Sequence, residues 1–334
     1  MHLPTFKLTA YSVIIYASVF WPIKVEKMSD DEKDFERISR RIVELKKSLN
    51  AVIVAHNYQR PEVQDIADFT GDSLELARKC TTVDAEVIVF AGVHFMAESA
   101  YILNPDRKVL LTEKEAGCPM ADMITEEDLR EWKKKYPKAA VVCYINTSAA
   151  VKALSDICCT SANGAQVVRS LPQKEVLFVP DQNLGHFISR STDKKMILYP
   201  GFCGPHQRVI PRHIDLARER YPGCVVLVHP ECRPDVIDKA DAVMSTSQML
   251  RYAAESRDRV FVIGTESGLM HRLRKENPDK EFSLLTEGLV CPNMKKTTLA
   301  SVAITMEKQR NVITVPEEVR LQARRALDRM LKVK

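Results

Sequence analysis

Nine cysteines stand in this chain of 334 residues, and their spacing limits what they can do. The number is odd and the chain is long, so the dense, evenly paired pattern of a disulfide scaffold is missing. No C-x2-C pair occurs, which removes the usual signature of zinc fingers and ferredoxin-type sites. The cysteines are therefore either small buried hydrophobes or a ligand set drawn together from distant segments. Three of them invite the second reading. Cys118 and Cys203 are 85 residues apart, Cys203 and Cys291 are 88 apart, and each ends a similar stretch: KVLLTEKEAGCP (108–119), KMILYPGFCGP (195–205) and FSLLTEGLVCP (282–292). Three converging thiolates suit a structural zinc ion if His206 or His229 supplies a fourth ligand. They equally suit an iron–sulfur cubane in which one iron stays open as a Lewis acid.

The elements that must position these cysteines repeat with the same period of about 86 residues. Helical patterns at Asp34–Leu49, Glu126–Tyr136 and Arg212–Tyr221 lead into the apolar runs AVIVAHNYQ (51–59), AAVVCYINTS (139–148) and CVVLVHPEC (224–232). Near-continuous apolar runs suit parallel strands buried on both faces. Next come GDSLELARKC (71–80), TSANGAQVVRS (160–170) and STSQMLRYAAES (245–256), each with a hydroxyl residue where a helix N-cap is wanted. The strands 86–92, 175–183 and 259–267 follow, then the three cysteine-bearing stretches. The chain thus reads as an α/β protein of three related three-layer α/β/α units with small parallel sheets, at 28–121, 122–206 and 207–294. A helical closing segment occupies 295–334, with an amphipathic helix over Pro316–Lys334. Ligands bind beyond the carboxyl ends of parallel strands, where helix N-termini also point. Those ends carry His56, Asn57 and Tyr58, then Tyr144 and Asn146, then His229 and Glu231. The helix starts carry Ser73, Ser161 and Thr246. If the units face one another about a pseudo-threefold axis, all of these converge with the cysteines on one central active site, and its ligand is a small polyanion.

Composition narrows the class. A net charge of +5 from 49 basic and 44 acidic residues is too mild and too interspersed for a nucleic-acid footprint. The apolar run Thr9–Ile23 is short of the roughly 20 residues that span a bilayer and carries no clear cleavage site. Met28 then opens a soluble-looking stretch. The reading favours residues 1–27 as an upstream extension outside the fold over a membrane anchor, and a cytoplasmic location.

The stretches AHNYQ-x-PEVQDIADFTGDSLELA (55–77), VIVFAGVHFMAE (87–98), GCPMADM (117–123), YINTSA (144–149), CTSANG (159–164), PDQNLG (180–185), HPEC (229–232) and CPNMK (291–295) resemble those of quinolinate synthases. The collinear match runs over roughly residues 35 to 330. The resemblance implies a triplicated three-layer α/β fold around a [4Fe-4S] cluster with three cysteine ligands and one open iron. It implies condensation of iminoaspartate with dihydroxyacetone phosphate to quinolinate for NAD synthesis, losing phosphate and two waters, and a link to an aspartate-oxidising enzyme. Carried over, Cys118, Cys203 and Cys291 are the cluster ligands. Glu231 is the acid/base residue, with Tyr58 and Tyr144 as pocket tyrosines. His56, Ser73, Asn146, Ser161, His229 and Thr246 bind substrate. Some relatives carry C-x2-C at the third ligand; here the segment reads Cys291-Pro-Asn-Met294, so no thiol switch is expected there. The rival functions are another [4Fe-4S] hydro-lyase and a non-catalytic iron–sulfur sensor, although no effector motif such as a helix-turn-helix is visible.

Each assignment has a plainer competitor. Cys80, Cys143, Cys158, Cys159 and Cys224 read as buried small hydrophobes, and Cys232 as a neighbour of the site. His94, His186 and His206 stay undecided; His2, His213 and His271 read as surface residues. Ser73, Ser161 and Thr246 are also plausible N-caps, worth about 1 kcal/mol each. Lys133–Lys135 and Arg324–Arg325 read as solvated helix faces.

Overall fold

The computed structural model describes residues 30–333, with side chains from residue 34 onward; the N-terminal extension assigned to 1–27 lies outside the described residues. Twelve strands form three four-stranded, all-parallel sheets. The first contains β1 (Ala51–His56), β2 (Phe69–Gly71), β3 (Val87–Ala91) and β4 (Lys108–Leu111). The second contains β5 (Ala140–Tyr144), β6 (Ile157–Cys159), β7 (Glu175–Val179) and β8 (Lys195–Leu198). The third contains β9 (Val225–Val228), β10 (Ala242–Val243), β11 (Val260–Gly264) and β12 (Glu281–Leu284). The order is the same in each: second, first, third, fourth strand, with helical crossovers between.

The apolar runs fold this way because both faces of each sheet are covered. In the third sheet, Val226, Val228 and Val262 point into one core with Ile214 and Val236. Leu227, Phe261 and Ile263 point into another with Met249, Leu269 and Leu273. That alternation is the two-residue period of a strand. Each fully buried side chain of this kind contributes about 1.5–3 kcal/mol.

One polar device recurs in all three units. An aspartate just before the second strand accepts the N–H of a first-strand residue 15 positions earlier: Asp68 from Ile53 at 2.8 Å, Asp156 from Val141 at 2.7 Å, and Asp241 from Val226 at 2.8 Å. It pins the short second strand at the same register in each sheet.

The segment after residue 294 closes the molecule in two places. Helix Leu299–Lys308 packs on helix Asp30–Ser48, burying Val302 and Met306 against Ile42 and Leu45. Helix Glu317–Lys332 packs on helix Ala149–Ala153 and on β6, burying Ala323, Ala326, Leu327 and Met330. Two residues expected to be solvated instead make specific contacts. Arg324 Nη1 donates to the Leu103 carbonyl at 2.7 Å, and Lys133 Nζ donates to that of Leu154 at 2.6 Å. Both cations meet unpaired carbonyls at helix ends, where positive charge is favoured. Among the described residues no helix is long and apolar enough to cross a membrane.

Candidate active site

The carboxyl ends of all three sheets line one cavity of about 250 Å3. Every residue that the resemblance assigns to the site lies on its wall: His56, Tyr58, Ser73, Cys118, Tyr144, Asn146, Ser161, Cys203, His229, Glu231, Thr246 and Cys291. They arrive in equivalent sets. His56 and Tyr144 are the last residues of β1 and β5, and His229 follows β9 directly. Two residues further on stand Tyr58, Asn146 and Glu231. The Tyr58 backbone N–H donates to His56 Nδ1 at 3.1 Å. This leaves the His56 proton on Nε2, as a donor.

The helix starts correct one expectation. Asp72, not Ser73, caps helix Ser73–Cys80, accepting from the N–H groups of Leu74 and Glu75. Ser245, not Thr246, caps helix Thr246–Glu255. Asn163 occupies the cap position of helix Gly164–Ser170, so Ser161 sits in the loop before it. Ser73 and Thr246 are first helical residues on the cavity wall rather than caps.

Six of the nine cysteines are buried; Cys118, Cys203 and Cys291 are half-buried, and all three line the cavity. Each follows the fourth strand of its sheet. Each Sγ is met by a backbone N–H three residues on: Ala121 for Cys118, His206 for Cys203, Met294 for Cys291. Burial nevertheless dominates. It pushes the Cys118 thiol up to about 12 and raises Cys203 and Cys291 as well. Unmetallated, these are protonated thiols; a bound metal centre would displace the protons, and the N–H groups would then support the thiolates. The donor set is soft, which suits thiophilic metals. Cys232 does not join it. It is fully buried, with Sγ 3.6 Å from the Gly264 carbonyl.

Several site residues were missed by sequence reasoning. Asp181 and Glu266 stand two residues beyond β7 and β11, as Tyr58 and Asn146 stand two beyond β1 and β5; that repeat was the available signal. Glu266 lines the cavity and accepts the Cys291 N–H at 3.0 Å and Lys295 Nζ at 3.0 Å. Asp181 accepts the Leu184 N–H at 2.9 Å. Burial, then the Glu231 charge, raise its carboxyl well above the ordinary range.

His206 and Thr265 were also not selected, and they link Tyr58 to Glu231 through a run of close polar contacts. Tyr58 Oη lies 2.6 Å from Thr265 Oγ1, which lies 3.0 Å from His206 Nε2. His206 Nδ1 lies 2.8 Å from Glu231 Oε2 and 3.2 Å from Cys203 Sγ, and Tyr144 Oη donates to Glu231 Oε1 at 2.7 Å. His229 Nδ1 stands 3.4 Å from the same carboxylate. Burial pushes the Glu231 carboxyl up, but the imidazoles of His229 and His206, which hydrogen-bond the ionised form, outweigh it and hold the group well below the ordinary range, while burial favours the neutral form of His229. Burial raises both tyrosines well above theirs, with the Glu231 charge adding to it. Burial also pulls His56 down to about 3. The resting site is thus a carboxylate with a protonated phenol at each end of the chain, and a neutral imidazole at His56. Cys203 Sγ, His206 and Glu231 lie close enough to share an ion, but the His206 and Glu231 atoms involved are already bonded to each other, so an ion there would have to break that pair. His206 as a fourth zinc ligand would therefore cost its Glu231 contact, and His229 is not part of that cluster.

The chain's sequence matches a known family and known proteins. The family described as Quinolinate synthetase A protein matches residues 40–332. A protein named quinolinate synthase from Dehalococcoides mccartyi is 55% identical over 298 residues, 89% of this chain and 99% of its own. Quinolinate synthases from Thermodesulfovibrio yellowstonii, 52% identical over 296 residues, and from Methanoregula boonei, 53% identical over 298, match across 98% and 99% of their own lengths. This chain belongs to the quinolinate synthase family. Quinolinate synthases use a [4Fe-4S] cluster and serve NAD biosynthesis, and the three cavity cysteines are this chain's candidates to hold that group.

Proposed function

We propose that this protein condenses iminoaspartate with dihydroxyacetone phosphate to give quinolinate, one phosphate and two waters, with Cys118, Cys203 and Cys291 holding a [4Fe-4S] cluster. The observation that carries the reading is the coincidence of two features on one cavity: three half-buried thiols, one from each unit, and the run of close polar contacts from Tyr58 to Tyr144. When bound, the cluster supplies a Lewis-acidic iron without a protein ligand.

The protein's own groups account for the rest. Condensation, tautomerisation and loss of two waters all move protons. Tyr58 gives up its proton along Thr265 to His206 Nε2, while Glu231 accepts from His206 Nδ1 and stabilises the imidazolium that forms. A base oriented by a carboxylate is the general logic of an activated hydroxyl. Tyr144, held at 2.7 Å on Glu231 Oε1, returns a proton to a leaving hydroxyl. His56 Nε2–H, His229, Ser73, Ser161, Thr246 and the Asn146 amide NH2 bind the carboxylates and phosphate; Asn146 Oδ1, buried and without a partner among the described residues, would accept from a substrate hydroxyl or N–H. Enclosure in the cavity strengthens each of these contacts by excluding water. The imine carbon stands two electrons above aspartate, so an aspartate-oxidising enzyme supplies it. A reducing, cytoplasmic setting keeps the thiols available as ligands.

The test is anaerobic reconstitution followed by assay for quinolinate from an aspartate-derived imine and dihydroxyacetone phosphate. Quinolinate formed in step with phosphate release supports the reading. Hydration of a di- or tricarboxylate without quinolinate would place the protein with the hydro-lyases instead.

A further inference from the structure

Behind the cavity wall, a second chain of side chains runs from the surface to Thr246. Asn57 is fully buried, and its Nδ2 donates to Thr246 Oγ1 at 2.9 Å. On the other side, Arg272 Nη1 donates to Asn57 Oδ1 at 2.8 Å. Arg272 is itself fixed, by Glu276 at 2.7 Å through Nε and by the Thr70 carbonyl at 3.3 Å through Nη1. A guanidinium only donates, so the oxygen of the Asn57 amide must face it and the NH2 must face Thr246. Thr246 Oγ1 is thereby obliged to accept. Its single O–H has no protein acceptor among the described residues, and the residue lines the cavity. The neighbouring Ser247 hydroxyl, by contrast, is spent on Glu75.

We propose that Asn57 and Arg272 are positioning residues that orient the Thr246 hydroxyl as a donor to an anionic oxygen of the substrate, a carboxylate or a phosphate. The inference rests on the reading of Thr246 as a substrate-binding residue. It makes Arg272, which belongs to the third unit's outer helix, a determinant of anion affinity through two intervening side chains. Replacing the Asn57 amide by a carboxylate reverses the pattern: Asn57→Asp would accept from both Arg272 and Thr246, turning the hydroxyl away from the cavity.

The experiment is calorimetric titration of anaerobic, cluster-loaded protein with pyridine-2,3-dicarboxylate and, separately, with inorganic phosphate. The probe whose affinity falls in Thr246→Val identifies the anion that the hydroxyl meets, and Thr246→Ser should restore it. For that probe, Asn57→Asp should weaken binding about tenfold or more, the scale of one charge-assisted hydrogen bond. In the Thr246→Val background the same change should cost less than about threefold, because its effect passes through the hydroxyl. Arg272→Met, which frees the amide to turn over, should give a smaller loss with the same dependence on Thr246, and keeps the test open if Asn57→Asp does not fold. An equal loss in both backgrounds, as simple destabilisation would give, overturns the proposal. So does full affinity in Asn57→Asp and Arg272→Met when Thr246→Val is weakened, a result that leaves the Thr246 assignment standing. Full affinity of Thr246→Val for both probes refutes the assignment and the inference together.

Discussion

Thr265→Val should cut the proton path at its middle while changing little else. The substitution is close to isosteric and removes one hydroxyl that is fully buried. That hydroxyl is the contact between Tyr58 Oη at 2.6 Å and His206 Nε2 at 3.0 Å. Two buried polar atoms lose their partner, at about 1–3 kcal/mol each, so a measurable loss of stability is expected. The larger effect is on rate. A positioned acid–base path contributes about 10²–10⁴-fold, so kcat should fall at least about 10²-fold, or roughly 2.7 kcal/mol in the barrier. Thr265→Ser keeps the hydroxyl and gives up one methyl, about 0.8 kcal/mol of burial; it should recover most of the rate. The assay is anaerobic quinolinate formation at saturating substrate, normalised to cluster content from the visible spectrum. A Thr265→Val protein with full cluster and kcat within about threefold of the parent would refute the path.

Replacing Cys118, Cys203 or Cys291 singly by Ala should abolish the visible absorption of the cluster and the activity, whereas Cys158→Ala, altering a buried thiol that does not reach the cavity, should leave both; spectra after anaerobic reconstitution decide. Stability should fall in mild acid because of His56, whose folded value of about 3 lies below its ordinary 6.5. Above pH 6.5 both states are neutral; below it the unfolded chain takes up a proton that the folded one refuses, so the native state loses about 2 kcal/mol by pH 5. Urea midpoints at pH 7 and 5 measure this, and His56→Asn should flatten the difference. Gly268→Ala should displace the Tyr58 loop, since a Cβ there would stand 2.5 Å from the Tyr58 carbonyl carbon; kinetics with intact cluster content should show a loss of kcat.

The fold was legible because strands buried on both faces leave near-continuous apolar runs, and three such runs recur at one spacing. The cysteines were legible for the same reason: each closes the fourth strand of its unit, so a repeat in sequence is a repeat in position. The helix caps were not, because Asp72 beside Ser73 and Ser245 beside Thr246 are equally good cap residues, and only backbone geometry chooses between them. His206 and Thr265 were hidden for a different reason. Thr265 bonds a tyrosine 207 positions away and a histidine 59 positions away, and nothing local to either residue announces that meeting. Asn57 and Arg272, 215 positions apart, are a further case. What the repeat did offer was the register two residues beyond the third strands of the second and third units, where Asp181 and Glu266 stand.

The central claim is that three cysteines hold an iron–sulfur cluster beside a proton-moving carboxylate. It is tested most directly by iron, sulfide and zinc analysis with optical spectra on protein purified under strict anaerobiosis. The account predicts a brown protein with about four iron and four sulfide per chain, bleached in each of the three cysteine variants. A colourless protein containing zinc and no iron would contradict it.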